Sequence, residues 1–538
     1  MAGFILAFLI IGIATLSDYG LTWDEALGNI YYGEHYLFYF LTFDSKYLHF
    51  DRGIERHPPG LELCPPQYRP GPHEFPPLAD TLSAATMNIF SYSMQWLDPV
   101  DGFHLFKVLI SAVFLWVLYR FIGPRLGKST AVMSVLFMGT FPRFWGDMHF
   151  NPKDIPEMIA IALMIFAYLV WYTTRRLTWA IAAGLLGGAS LSIKANVLFI
   201  PCVLMVGVWR WWDRPRRWFS PGRSASRFVM DHLVMVLSAA LFFVCSWPFL
   251  YSHPARGIRA HLGVIVSQGG RHFDWRSGFS WAPPLHAVAT MPELMLLFLC
   301  VGMVYITKDL RTGDDPLRRV LPVWLLMPIA RISLPGMVNF DGIRHFMEYV
   351  PAAAIIAGYG AASLAGCVAG AGRRLFVPAQ AAIVALLCVN IGWIAVVYHP
   401  YEHLYYNTLI GGLGGARRVF GADEATDYWA VSYRRAARWL NATAPADAIL
   451  HVPVAPHVVE GFAGLWLRPD IRLADADTAR DALAAGGEVY CMFITRPAFY
   501  DACARYCVGN LAPVYRIVVN GVPIVYIFRM HDRTCSYE

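Results

Sequence analysis

The chain has 538 residues and a formal net charge of +6. It is 57% hydrophobic and only 15% charged, with a mean hydropathy of +0.43. A soluble globular chain carries about 25% charged residues. This composition therefore excludes that class, and repeated apolar runs near the ~20-residue bilayer-spanning length mark a polytopic membrane protein. The basic residues flank apolar runs, so the positive charge is no nucleic-acid signature; membrane lipids are the expected surroundings. The cysteines are scattered without metal-type spacing, and only Cys503 and Cys507, one helical turn apart, are placed to pair in an oxidising compartment.

About eleven spans are predicted, at 2–17, 104–122, 130–145, 155–173, 177–193, 196–212, 229–250, 286–307, 319–333, 345–366 and 375–398. The first lacks a basic flank and a cleavage site, and reads as a retained span. Arg120, Arg125 and Lys128 share one short loop, and Arg175 and Arg176 another. Further basic groups lie at 210–227, at Lys308 to Arg319, and at Arg373 and Arg374. With eleven spans all of these fall on one side, which the positive-inside rule makes cytoplasmic. The opposite side then receives the 18–103 loop, 146–154, 251–285, 334–344 and everything from about 400.

The stretch Thr22-Trp23-Asp24-Glu25 opens the first external loop. Two readings stand side by side. Thr22 and Glu25 have capping-box spacing, which would make the acids the start of a helix. Alternatively Asp24 is a catalytic base at the water-facing mouth of a membrane enzyme. A helix from Trp23 to about Phe40, apolar almost all round, is expected to lie in the membrane interface. A proline-rich stretch from Arg56 to Pro77 cannot be regular helix or central strand, and a second amphipathic helix is expected at 79–97.

Beyond residue 400 the apolar runs shorten and alternate. Strands are predicted at 449–454, 488–494, 514–519 and 522–528, and helices at 432–441, 478–486 and 497–507. Asn520-Gly521 is a two-residue hairpin signal. The reading is a transmembrane unit over 1–400 and a small extracytoplasmic α/β domain over 401–538.

Polar groups gather at the external ends of spans: Asp24 and Glu25, Asp147, Lys153 and Asp154, Lys194, Arg271, and Asp341 with Arg344 and His345. Ionisable residues at membrane depth are costly and line cavities or pathways. Such a set can divide two tasks, a carboxylate taking a proton from an attacking hydroxyl and cations neutralising a departing phosphate. Structural readings exist for each. Asn151 can cap the fourth span with Pro152 at its first position. Lys194 can snorkel to headgroups, and Arg344 can anchor a boundary. His57, His73, His149 and His345 suit polar surface or interface positions better than metal sites, since no zinc spacing is present.

The acidic pair after the first span, His73-Glu74-Phe75-Pro76-Pro77-Leu78 before the next, and the acid after the third resemble the GT-C glycosyltransferases. The likeness is to glycosyltransferase family 39, which includes protein O-mannosyltransferases, and to the related lipid A aminoarabinose transferase. Phe150-Asn151-Pro152-Lys153-Asp154-Ile155-Pro156, His399-Pro400-Tyr401, Tyr405-Tyr406-Asn407 and Asp427-Tyr428-Trp429 extend it. The resemblance implies a mainly α, GT-C-type helical bundle in a bacterial inner membrane. It also implies a polyprenyl-phosphate sugar donor, a protein, lipid or glycan acceptor on the extracytoplasmic face, and inversion at the anomeric carbon. Asp24 takes the base position, Glu25 its neighbour, and Asp154 the second acidic position, with Asp147 as competitor. Lys153, Lys194, Arg271 and Arg344 fall to the donor phosphate, and His57, His73, Asp147 and His345 to the substrate loops. The chain departs from the pattern at Phe75, where a basic residue or histidine usually precedes Pro-Pro-Leu. Arg and Lys alone can neutralise a lipid monophosphate; Mg2+ or Mn2+, if used, would prefer Asp24, Glu25 and Asp154. The alternative is a flippase for a lipid-linked saccharide. The absence of an internal repeat and the charges at span ends on one face favour the enzyme.

Overall fold

The structure, a computed structural model, describes residues 1–50, 63–68, 75–208, 225–269, 278–310, 315–337, 339–370 and 376–530. His57, His73 and Arg271 lie outside the described residues, as does most of the proline-rich stretch. The remainder is largely helical, with one small sheet near the C-terminus.

Among the described residues, five helices are long and apolar enough to cross a membrane: Pro99–Leu126, Asp154–Thr174, Ser226–Ser246, Arg344–Val368 and Val377–Tyr398. Ala282–Thr290 and Glu293–Asp309 make a sixth if they are one span, but they are bent by 111°. The continuous span expected at 286–307 is thus broken. Pro292 has no amide hydrogen to continue the first helix and sits as the N-cap of the second. The segment expected at 130–145 is likewise two helices, Lys128–Gly139 and Pro142–Phe150, with Pro142 at the first turn of the second. Shorter apolar helices, among them Ala2–Ala14 and Leu177–Leu191, accompany the spans.

Asp154–Thr174 lies at the centre of the bundle, with 78% of its most apolar window buried, whereas Ser226–Ser246 has 11% buried and faces outward. Lipid tails are as apolar as leucine, so close contact between helix backbones holds such bundles. Gly302 supplies one such contact: a Cβ there would stand 2.0 Å from the Ile356 carbonyl oxygen.

Two large cores are present. One fills the helical bundle, around Phe114, Phe137, Ile161, Trp171, Trp324 and Ile355. The other joins the first loop to the C-terminal segment: Tyr19, Leu21, Ile30 and Phe103 share it with Tyr405, Trp429, Phe462, Phe493 and Ile527. The aromatic helix expected at 23–40 belongs here. It forms as a π-turn, Glu25–Asn29, then Ile30–Thr42, with a kink at Gly28 (φ 155°). Its all-round apolar character reflects burial in protein, not in the interface, since Tyr36, Leu37 and Phe38 are buried. The helix expected at 79–97 runs Leu78–Met87 and ends in a π-turn at Ser93.

The sheet has the order β2-β1-β3-β5-β4, with β1 Ile449–His451, β2 Arg472–Ala474, β3 Val489–Ile494, β4 Tyr515–Val519 and β5 Val522–Met530. β1 runs parallel to β2 and β3; β5 is antiparallel to β3 and β4. The Asn520-Gly521 turn forms with both residues at positive φ, as a type I′ hairpin requires. All four predicted strands appear, with shifted ends. β2 and the helix Pro456–Trp466 were not predicted. The helix expected from 497 begins at Ala502, where the Asp501 carboxylate accepts the Ala504 amide hydrogen. Arg434 fixes this segment to the bundle, donating to Asp101 at 2.6 Å, Asp98 at 2.7 Å and the Tyr19 carbonyl at 2.9 Å.

Candidate active site

The acidic pair splits. Thr22 N–H donates to Glu25 Oε2 at 3.0 Å, and Glu25 N–H donates to Thr22 Oγ1 at 3.3 Å. The capping-box reading therefore describes Glu25. Its carboxylate also takes His104 Nε2 and Lys107 Nζ, each at 3.0 Å, in a cluster whose side chains are fully buried. Burial alone would raise this carboxyl; His104 and Lys107 outweigh it and hold it at about 2. Asp24 points the other way. Its side chain is 34% exposed, and Oδ2 accepts from Arg344 Nη2 at 2.8 Å. Of the two neighbours, only Asp24 is open to a reactant.

Asp154 opens its helix with Lys153 at the N-cap, so the helix starts two residues later than an Asn151 cap with Pro152 at the first position would give. The Asn151 side-chain oxygen accepts the Asp154 and Lys153 amide hydrogens at 2.9 and 3.3 Å, and Asn151 Nδ2 donates to Asp154 Oδ2 at 3.0 Å. Lys194 Nζ donates to Asp154 Oδ1 at 2.8 Å and lies 3.4 Å from His345 Nδ1, so it turns inward.

Arg344 is the hub. Besides Asp24, its guanidinium lies 3.4 Å from Asp154 Oδ2 and donates to Asp341 Oδ2 at 3.0 Å. One face stacks on Trp429, 4.1 Å from the ring centre. Asp341 is buried, and Asp341 and Gly342 both take positive φ, 59° and 71°, a conformation Asp tolerates better than most side chains. Burial pushes the Asp341 carboxyl up to about 6 against the pull of Arg344 and Arg496. Arg496, just after β3, donates to Asp341 Oδ1 at 2.8 Å. Three carboxylates, Asp24, Asp154 and Asp341, thus meet three cations, Arg344, Lys194 and Arg496, in one connected array.

The other sequence candidates lie at its edges. Lys153 Nζ stands 4.3 Å over the Phe75 ring, so the position that departs from the family pattern packs on a predicted phosphate ligand. Asp147 is buried on an adjoining network. Burial pushes its carboxyl up to about 6, opposed by His403 and Arg143. The sequence marks Asp341 only as a span-end charge and Trp429 only as part of a motif. Arg496 carries a single sequence signal, its place at the end of a strand.

The donor set does not suit a divalent ion held by Asp24, Glu25 and Asp154. Glu25 spends its oxygens on Thr22, His104 and Lys107, and Arg344 stands between Asp24 and Asp154.

The family model described as dolichyl-phosphate-mannose-protein mannosyltransferase matches residues 74–247. A crystal structure of ArnT from Cupriavidus metallidurans bound to undecaprenyl phosphate is similar at 13% identity and a TM-score of 0.50, over 98% of both chains. The apo-state structure of the same protein has a TM-score of 0.48, at 13% identity and over 98% of both chains. Archaeal oligosaccharyltransferase AglB from Archaeoglobus fulgidus, in complex with an inhibitory peptide and a dolichol-phosphate, is similar at 13% identity and a TM-score of 0.44, over 91% of this chain and 69% of its own. No curated protein sequence matches the chain.

Proposed function

We propose that the chain is a GT-C-type membrane glycosyltransferase that transfers a sugar from a polyprenyl-phosphate donor to an acceptor hydroxyl on the extracytoplasmic face, a reading supported by the family model over residues 74–247 and the ArnT-like fold. The observation that carries this reading is the Arg344 guanidinium, bonded to the accessible Asp24 and adjoining Asp154 with its Lys194. An accessible carboxylate beside a shared cation is what a single displacement at an anomeric carbon uses. The ArnT structure that shares the fold holds undecaprenyl phosphate, the kind of lipid phosphate this array would release.

In the reaction the acceptor oxygen bonds to the anomeric carbon as the carbon–oxygen bond to the lipid phosphate breaks. The bonding pair leaves with the phosphate, and the hydroxyl proton passes to Asp24. General-base help of this kind contributes about 10²–10⁴-fold. Arg344 and Lys194 neutralise the departing phosphate, an electrostatic effect of comparable size. Phosphate engagement draws Arg344 away from Asp24 and leaves that carboxylate free to take the proton. No step is assigned to a metal. The proposed orientation is supported by the basic residues of the connecting loops on the eleven-span reading of the sequence.

The test uses purified protein in detergent with radiolabelled polyprenyl-phosphate sugars and a membrane extract as acceptor. Wild type is expected to move label from lipid to acceptor, and Asp24→Asn to do so at least a hundredfold more slowly. Equal transfer by Asp24→Asn overturns the base assignment. Flipping of the lipid by reconstituted protein, without transfer, overturns the enzyme reading in favour of a transporter.

A further inference from the structure

The pair expected at Cys503 and Cys507 is one part of a trio. Cys491 on β3 and Cys503 and Cys507 on the helix Ala502–Asn510 are all buried, and their three sulfurs lie within 4.8 Å of one another. Cys503 Sγ is 4.0 Å from Cys491 Sγ, and Cys507 Sγ is 3.5 Å from Met530 Sδ at the end of β5. Four sulfurs from three elements therefore meet at one point in the external core.

We propose that Cys491, Cys503 and Cys507 form a structural site for a thiophilic d¹⁰ cation, Zn2+ or Cu+, with the Met530 thioether beside them. Spacing supports this over a disulfide. With metal–sulfur bonds of about 2.3 Å, ligand sulfurs stand about 3.8 Å apart in a tetrahedron and about 4.0 Å apart in a trigonal plane. A disulfide needs about 2.05 Å, and any pairing would strand the third thiol. Soft thiolate and thioether donors select Cu+ and Zn2+ over the hard cations Mg2+ and Ca2+. Each ligating thiol gives up its proton, so loading releases three protons and leaves a net anionic centre. His451 stands in register with Cys491 on the adjacent parallel strand and bonds Asp501 at 3.3 Å, so a polar pair borders the trio. The competing reading is three small apolar side chains in a core; that reading predicts no ion.

The site would pin the Ala502–Asn510 helix to β3, whose end delivers Arg496 to Asp341. It stands independently of any glycosyl transfer.

The test uses full-length protein in detergent, reduced with a phosphine and kept free of oxygen. It is titrated with Zn2+ in one arm and Cu+ in the other against a chromophoric chelator. One tightly held ion per chain is expected in at least one arm. It should protect three thiols from maleimide and raise the thermal midpoint, readouts that need no variant. Cys491→Ala, Cys503→Ala and Cys507→Ala are each expected to weaken binding at least a hundredfold. Retention by wild type of no more ion than a variant carrying all three substitutions overturns the proposal. So does peptide mapping that finds a disulfide between any two of the three in protein prepared without reductant.

Discussion

Arg496 donates to Asp341 at 2.8 Å across 155 residues of sequence, and the other Asp341 oxygen accepts from Arg344. The C-terminal segment thereby holds the carboxylate that orients the hub arginine. Arg496→Ala should loosen Arg344 and lower transfer about tenfold, mainly in kcat, because a charge-assisted hydrogen bond contributes about 1.5–3 kcal/mol. Arg496→Lys should recover part of the loss. Steady-state kinetics on the three proteins checks the order; unchanged kcat in Arg496→Ala would show that the Arg496–Asp341 bond does not position Arg344.

Asp24→Asn and Asp154→Asn should fail differently. Asp24 is one-third exposed, so its loss should slow transfer 10²–10⁴-fold with a small change in thermal midpoint. Asp154 is buried against Lys194, and removing one partner of a buried ion pair costs about 3–5 kcal/mol. Parallel midpoints and rates in detergent distinguish the two; a large fall in midpoint for Asp24→Asn would return it to a structural role.

Glu25→Gln should destabilise the fold by a similar amount, about 3–5 kcal/mol, because Lys107 would stay buried without its counter-charge. The pH dependence follows. The folded carboxyl sits at about 2 against an ordinary 4.5, so its contribution is complete above pH 4.5 and is lost as the pH falls toward 2. Thermal midpoints measured down that range should drop in wild type and stay flatter in Glu25→Gln.

His399 gives the opposite sign. Its ring joins Glu402 Oε1 at 2.7 Å and Asp18 Oδ2 at 3.2 Å. The Glu402 hydrogen bond, more than burial opposes it, raises its pKa above 6.5. Its contribution is complete below pH 6.5 and lost as the pH rises through the folded value. His399→Gln should remove a decline in midpoint that begins as the pH rises above 6.5; a wild-type profile flat above that pH would show the linkage absent.

Local chemistry was the legible part of the chain. The capping box at Thr22 and the Asn520-Gly521 turn each depend on residues within four positions, and each forms; Asn151 accepts the Asp154 amide hydrogen, but the helix starts at Asp154 with Lys153 as its N-cap. The split between Asp24 and Glu25 was not readable, because burial by His104 and Lys107 decides it from 79 and 82 residues away. Those two carried a missed signal, since a histidine and a lysine one turn apart inside an apolar run require a buried partner. Arg496 and Trp429 reach Arg344 through tertiary folding alone. Pro292 was visible, but the run around it was apolar enough to look continuous.

The shared outer core also sets a timetable. The Tyr19 carbonyl meets Arg434 across 415 residues of chain, and the first loop buries its aromatics against strands that come last. At synthesis rates of about 5–20 residues per second, the loop waits on the order of tens of seconds for its other half. Until then its apolar surface stands uncovered, and a chain cut short before the sheet would lose the loop as well as the tail.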